Sequence, residues 1–349
     1  PYTTTVNADG QWTLNIPAAD LAALKDGNVT LSAAVTDKAG NPASAASELL
    51  VDGSVPTVTI HNITADNVVN QAEHGQALVI TGSSSNAQAG DRITITLNGK
   101  TYITTLDADG NWSLGIPATD VGLLTGQDYT LTASLTDKAG NQGGGSHDFK
   151  VVLSAPSIAI DTIAGDDVIN ALEKGGELAV TGTSNQPSGT TITLMLNGVS
   201  YTTTTGDNGV WSVTLPASAL GALGEANYTL TASVTDVYGN SNSADRAVQV
   251  DSARPQVTID AVTSDNIINA AELAAGQTLT GKVSGAASGD TVTIMMGGKS
   301  YEVKVQDDLS WKLELTTEML TELGDGGLTI TASVTNGHGN SGSAERDIA

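Results

Sequence analysis

An all-β fold, organised as tandem sandwich domains in an elongated rod, is predicted by three observations. The first is a long period. Trp12, Trp112, Trp211 and Trp311 lie 100, 99 and 100 residues apart, and Tyr2, Tyr102, Tyr201 and Tyr301 keep the same step. Self-similarity at a fixed step marks a chain of equivalent units. The second is composition. Gly, Thr, Ser, Ala and Val dominate the 349 residues and there is one Phe, which suits short strands joined by tight turns. The third is alternation of apolar and polar residues in runs of five to nine, the period of a half-buried strand.

The units follow from the period. Pro1-Tyr2 aligns with Thr101-Tyr102, so residues 1–52 read as the C-terminal part of a truncated repeat from a longer protein. Residues 53–152, 153–251 and 252–349 read as three further repeats, with joints at Val51-Asp52-Gly53-Ser54-Val55-Pro56 and its counterparts. The joints are a few residues long, so neighbouring repeats are expected to touch.

Residues 53–152 resolve into successive strands and turns. Thr57 to Ile63, Ala77 to Thr81 and Arg92 to Leu97 alternate as strands. Asn98-Gly99 is a type I′ hairpin signal because both turn residues must accept positive φ; Asn197-Gly198 repeats it and Gly297-Gly298 is a variant. Lys100 to Leu106 follows, ending at Asp109-Gly110, which reads as a second hairpin. Trp112, Leu114 and Ile116 share one face of the next strand. Pro117 to Thr125 is too irregular for a strand and suits a helical turn or crossover. Tyr129, Leu131, Ala133 and Leu135 alternate on a long strand that stops at Asp137-Lys138-Ala139-Gly140-Asn141, and a last strand runs toward Val152. Seven strands with this turn density in a hundred residues argue for an immunoglobulin-like β-sandwich.

Charge and composition limit function. Lys plus Arg number 14 against 38 Asp plus Glu, a formal charge of −24. Nucleic acid is excluded as a partner for want of a basic patch, whereas metal cations are favoured. There is no cysteine, hence no disulfide and no thiolate metal site. No apolar run approaches membrane-spanning length, so no membrane insertion of this segment is expected. No nucleophile motif or phosphate-cradling glycine loop is present, which argues against an enzyme. The four tryptophans fall in phase with core positions, so packing is expected rather than a sugar-stacking platform. His61, His74, His147 and His338 occupy unrelated repeat positions without zinc spacing, and His61 and His74 are expected to face solvent.

Oxygen-bearing side chains instead gather at the two ends of each repeat. Asp66-Asn67-Val68-Val69-Asn70-Gln71-Ala72-Glu73 returns as Asp166-Asp167-Val168-Ile169-Asn170-Ala171-Leu172-Glu173 and as Asp265-Asn266-Ile267-Ile268-Asn269-Ala270-Ala271-Glu272. On a helical turn, positions i, i+4 and i+7 share a face, so Asp66, Asn70 and Glu73 would converge. Calcium takes six to eight hard oxygen ligands, and this set can supply several. The plainer reading is an Asp cap on a short turn, with Val68 and Val69 plugging the sandwich end. Three copies of the whole set favour calcium. Strand counting puts this loop at the end that faces the next repeat. The opposite end collects Asp52, Asp91, Asp109, Asp137 and Asn141. In the third repeat only Asp236 and Asn240 remain of that set, with Val152 in the joint and Asn208 for Asp109. In the fourth, Asp251, Asp290 and Asp308 return while Asn336 replaces the loop Asp. Here ordinary turn chemistry competes more strongly with calcium.

These motifs together, in fixed order over the whole chain, resemble the bacterial Ig-like repeats of giant adhesins that leave Gram-negative cells by type I secretion, the non-fimbrial and biofilm-associated adhesins among them. The residues that carry the resemblance are Asp52 to Val58, the Asp-Asp/Asn-Val-Ile/Val-Asn…Glu loop, Leu-Asn-Gly…Tyr, Asp-Gly…Trp, Ile-Pro-Ala and Thr-Asp-Lys-Ala-Gly-Asn. The resemblance implies a monomeric extracellular stalk with calcium at the junctions and neighbouring repeats of the same chain as partners. Two other readings stand beside it. The repeats could themselves bind a host-surface glycan or glycoprotein, or they could be a noncatalytic appendage of a secreted polysaccharide-degrading enzyme. Glu302, Glu314, Glu318 and Glu322, at positions neutral in the other copies, have no role in any of these readings.

Overall fold

The computed structural model describes residues 1–324 and 326–348. The chain divides into two compact units, residues 1–154 with 238–240, and residues 155–237 with 241–349. Among the described residues, three separate buried cores are present, drawn from residues 58–151, 160–250 and 257–348.

In the first unit, residues 1–52 hold a one-turn helix, Ala18–Leu21, and one antiparallel pair, Gly27–Thr36 with Pro42–Val51. Trp12 is 49% exposed there, against 3% for Trp112, which two layers of strand enclose. The rest of the unit is a sandwich. One layer is Thr57–Ile60, Leu78–Ser85 and Asn111–Ile116, paired antiparallel in that order. The other orders Lys100–Thr105, Arg92–Leu97, Asp128–Thr136 and Gln142–Val151, again antiparallel. A single bridge, Gly144 to Thr57, joins the layers at one edge.

Alternation places the core as the sequence predicts. Trp112, Leu114 and Ile116 are buried on one strand, and Tyr129, Leu131, Ala133 and Leu135 on another. The Asn98-Gly99 hairpin has both residues at positive φ, 48° and 74°, the type I′ requirement. Two elements differ from expectation. Asp109-Gly110 does not close a hairpin, because the strands on either side pair with different partners and the turn crosses between layers. Its closing bonds come from Asp107, whose Oδ1 accepts the N–H groups of Asp109 and Asn111. His74 is half-buried rather than solvent-facing, its Nε2 2.9 Å from the Leu124 carbonyl.

The second unit holds two sandwiches built alike. In one, Ile158–Ile160, Leu178–Ser184 and Val210–Leu215 face a five-stranded layer in which Ser241–Val250 lies between Val168–Ile169 and Asn227–Thr235. In the other, Gln256–Val257, Gln277–Ser284 and Ser310–Leu315 face four strands that end in Ser341–Ile348. The tryptophan position explains a glycine. A Cβ on Gly182 would lie 2.0 Å from the Ala159 carbonyl oxygen and 2.3 Å from the Trp211 indole, and Gly82 and Gly281 meet Trp112 and Trp311 in the same way. Each indole therefore lies flat across a strand that must lack a side chain at that point.

Substitution Gly182→Ala is expected to cost about 1–3 kcal/mol, the usual range for overpacking a filled core. Urea unfolding followed by tryptophan fluorescence should show the third repeat melting earlier while the second keeps its midpoint.

Candidate functional site: the ends of the repeats

The recurring loop is not helical where convergence of its carboxylates would require it. Residues 66–67 form a turn and Val68–Val69 a two-residue strand that runs parallel to the end of Gln142–Val151. Asp66 therefore does not share a helix face with Asn70 and Glu73. Each polar residue of the loop instead serves the backbone. Asp66 Oδ1 accepts from the Val68 N–H and the Thr64 hydroxyl. Asn67 adopts φ 63°, a left-handed conformation that Asn and Asp tolerate best, and the equivalent Asp167 and Asn266 do the same at 64° and 57°. Asn70 Oδ1 accepts from the Ala72 and Glu73 N–H groups while Glu73 Oε2 accepts from the Asn70 N–H, a reciprocal cap. In the later repeats that cap opens true helices, Ala171–Lys174 with Asn170 and Glu173, and Ala270–Ala275 with Asn269 and Glu272. Asp166 and Asp265 each accept from the N–H two residues on, as Asp66 does.

In the second and third repeats the second position of the motif also braces the last strand, with different chemistry in each. Asn67 Oδ1 lies 2.8 Å from His147 Nε2. Asp167 takes Arg246 on both oxygens, Nε at 2.7 Å and Nη2 at 2.5 Å. That guanidinium holds the Asp167 carboxyl below its ordinary range, and backbone donation from Ile163 adds to the effect. A guanidinium already seated on both oxygens competes with a metal cation for them. In the fourth repeat Asn266 replaces the acid, and Arg346 donates to the Ile259 carbonyl instead.

At the opposite end the loop carboxylates close their own turns. Asp137 Oδ1 accepts the Asn141 N–H and its Oδ2 accepts from Asn141 Nδ2, so the carboxyl is held below its ordinary range, chiefly by the Asn141 side chain. Asp91 is buried and its Oδ2 accepts the Gln88 N–H; Asp290 does the same for Ala287. Asp308 Oδ1 accepts from the N–H and hydroxyl of Ser310. Asp52 and Asp137 line one hollow with Ser54, Asn86, Gln88 and Lys138, whereas Asp91 and Asp109 do not line it. Lys138 Nζ donates to Gln88 Oε1 at 3.2 Å beside them. In the fourth repeat Asp251 faces His338 rather than a second acid, with Oδ2 2.6 Å from Nδ1. Among the described residues no three His, Asp or Glu side chains are grouped to hold a metal ion.

The asparagine that closes the last loop is the residue whose partners sequence reading missed. Asn141 Nδ2 donates to the joint carbonyl of Asp52 at 3.0 Å. Asn240, which belongs to the first unit, donates to Val152 O at 3.0 Å and accepts the Gln71 N–H at 2.7 Å. Asn340, in the second unit, donates to Asp251 O at 2.8 Å and accepts the Ala171 N–H at 2.7 Å. Both are 1% exposed. The contacts span 88 to 169 residues, so no local pattern reveals them; the signal present is the recurrence of Gly-Asn at 140–141, 239–240 and 339–340.

Asp167→Asn keeps a residue suited to the left-handed turn and removes the ion pair. A depressed carboxyl stabilises the fold above its unfolded value, about 3.9, and loses that contribution as pH falls through its lower folded value. The variant should therefore unfold at lower urea than wild type at pH 7, and the gap should close as the pH is taken below about 4.

The profile of a family described as bacterial Ig-like domain matches residues 1–53 and 155–252. No curated protein sequence matches the chain. Among solved structures, the chain is 30% identical to a Ca2+-stabilized adhesin with which an Antarctic bacterium reaches out and binds ice, covering 100% of this chain and 86% of that one at a TM-score of 0.48. It is 26% identical to a 1.5-MDa bacterial ice-binding adhesin, covering 85% and 98% at a TM-score of 0.47. It is also 26% identical to a tetra-tandem repeat from the extending region of a large adhesion protein, covering 99% and 87% at a TM-score of 0.36. The chain belongs to the bacterial Ig-like domain family.

Proposed function

We propose that this chain is a noncatalytic extender segment of a bacterial cell-surface adhesin, exported from the cell, whose repeats hold an adhesive region away from the surface and whose junctions are stiffened by calcium. The observation that carries the reading is a repeated joint. Gln71 N–H to Asn240 and Ala171 N–H to Asn340 are the same contact, 2.7 Å long and 169 residues apart in both cases. A unit that presents the same amide to the same loop of its successor can be added without limit, which is the requirement of a spacer. Sequence identity to an extending region and to a Ca2+-stabilized adhesin supports this reading.

The calcium part rests on charge. Asp52 and Asp137 line one hollow, where two carboxylates face a single ammonium, that of Lys138, and like charges repel unless compensated. Asp52, Asp137 and the side-chain oxygens of Ser54 and Gln88 would hold the ion, a donor set of the hard-oxygen type calcium prefers. Asp66, Glu73, Asp166, Glu173, Asp265 and Glu272 form a weaker candidate set, each with one carboxylate oxygen bonded to backbone N–H. Extracellular calcium modules bind at about 10⁻⁴ to 10⁻³ M, so such a site would be vacant inside a cell and filled outside. The carboxylates would then keep the junction loose during export and tight afterwards.

Calorimetric titration of the chain with calcium should give a binding event of sub-millimolar to millimolar affinity. The pair Asp52→Asn with Asp137→Asn should weaken its tightest component about tenfold or more. Unchanged affinity in the double variant would place the ion elsewhere, and no heat at millimolar calcium would end the calcium reading.

A further inference from the structure

We propose that the buried asparagine of the last loop, Asn340 in the second unit and Asn240 in the first, is the positioning residue that joins one repeat to the next, and that it does so without a metal ion. Two backbone groups at the joint cannot be satisfied by either sandwich alone. Ala171 is the first residue of the helix Ala171–Lys174, so its N–H has no partner within that helix. Asp251 lies in the joint beyond Ser241–Val250, where its carbonyl falls outside the sheet ladder. One group needs an acceptor and the other a donor.

A carboxamide supplies both. Asn340 Oδ1 accepts from Ala171 at 2.7 Å and Nδ2 donates to Asp251 at 2.8 Å, with the side chain 1% exposed. The loop that carries it is fixed in turn, since Asn336 Oδ1 accepts the N–H groups of His338 and Asn340. Asn240 repeats the arrangement on Gln71 and Val152, where Gln71 Nε2 also donates to Leu153 O at 2.8 Å. The chemistry excludes the isosteric acid. An aspartate could accept from Ala171 but would set a second oxygen against the Asp251 carbonyl where a donor is needed. A cation cannot replace the clasp either, because it accepts no N–H bond.

The inference uses the tandem-repeat reading above and is independent of its calcium part. The test is amide hydrogen exchange by NMR on the full chain, in chelator, for wild type, Asn340→Ala and Asn340→Asp. The Ala171 amide should be protected in wild type and exchange about tenfold faster in Asn340→Ala, the factor for losing one ordinary net hydrogen bond. In Asn340→Asp the repulsion between the carboxylate and the Asp251 carbonyl should push the side chain off Ala171 and expose the same amide. The strand amides of Leu230 in the third repeat and Ile330 in the fourth serve as the folding control and should not change. If Asn340→Ala unfolds the repeat, Asn240→Ala read at Gln71 gives the same test in the other unit. An unprotected Ala171 in wild type would overturn the proposal. So would Asn340→Asp recovering protection on addition of calcium, since a metal would then be doing the joining. Failure of calcium to bind wild type would remove the calcium reading and leave the Ala171 result standing.

Discussion

A β-sandwich satisfies its backbone along the strands and leaves it unsatisfied at the ends. Every loop that reverses direction there presents N–H and C=O groups outside the sheet ladder, and a buried one without a partner costs about 1–3 kcal/mol. The side chains that answer this demand must be short, polar and tolerant of turn geometry, so Asn and Asp recur at both ends of every repeat. Asp66, Asn70 and Glu73 close one end and Asp91, Asp107 and Asp137 the other, each bonded to backbone N–H. The junctions extend the same solution, with the groups to be satisfied belonging to two repeats.

This changes how the acidity of the chain is understood. A recurring acid looks like a ligand in sequence because the partner of each carboxylate is a backbone N–H, which no residue letter displays. Asp167 is the sharpest case. It occupies the position of a predicted calcium ligand, yet Arg246 from the last strand covers it. The copies at Asn67 and Asn266 keep the left-handed backbone and vary the brace. What unites the three is therefore conformation, and their charge differs freely. At the junctions the same freedom sets Asp52 with Asp137 in one place and Asp251 with His338 in another. The first pairing shares its hollow with one ammonium, that of Lys138, and the second faces an imidazole from the chain itself.

The fold was legible wherever its determinants are local. Alternation fixed the faces of Asn111–Ile116 and Asp128–Thr136, and Asn98-Gly99 announced its hairpin because φ at both residues is a property of those residues alone. Pairing across the sandwich was not local, so Asp109-Gly110 looked like a hairpin and proved to be a crossing between layers. Val68–Val69 looked like the interior of a helical turn because its partner strand lies some eighty residues away. The glycines opposite Trp112, Trp211 and Trp311 are legible only after the fold, when the indole and the neighbouring strand are seen to occupy the space of a Cβ. The candidate site divides in the same way. The carboxylate clusters were visible as a repeated string, and Asn141 and Asn240 stood beside them as candidate ligands, while the backbone groups these asparagines bond lie too far along the chain to be read.

The most direct test of the account is the distance distribution across the joint at Asp251. The chain has no cysteine, so Ser212→Cys with Lys312→Cys, both exposed, gives one spin-label pair spanning the two sandwiches of the second unit. Double electron–electron resonance would be recorded in calcium and in chelator. The account predicts a distribution that is narrowest in calcium and that broadens, in calcium and in chelator alike, when Asn340 is replaced by alanine. A distribution left unchanged by Asn340→Ala would contradict it, since the asparagine would then not hold the joint.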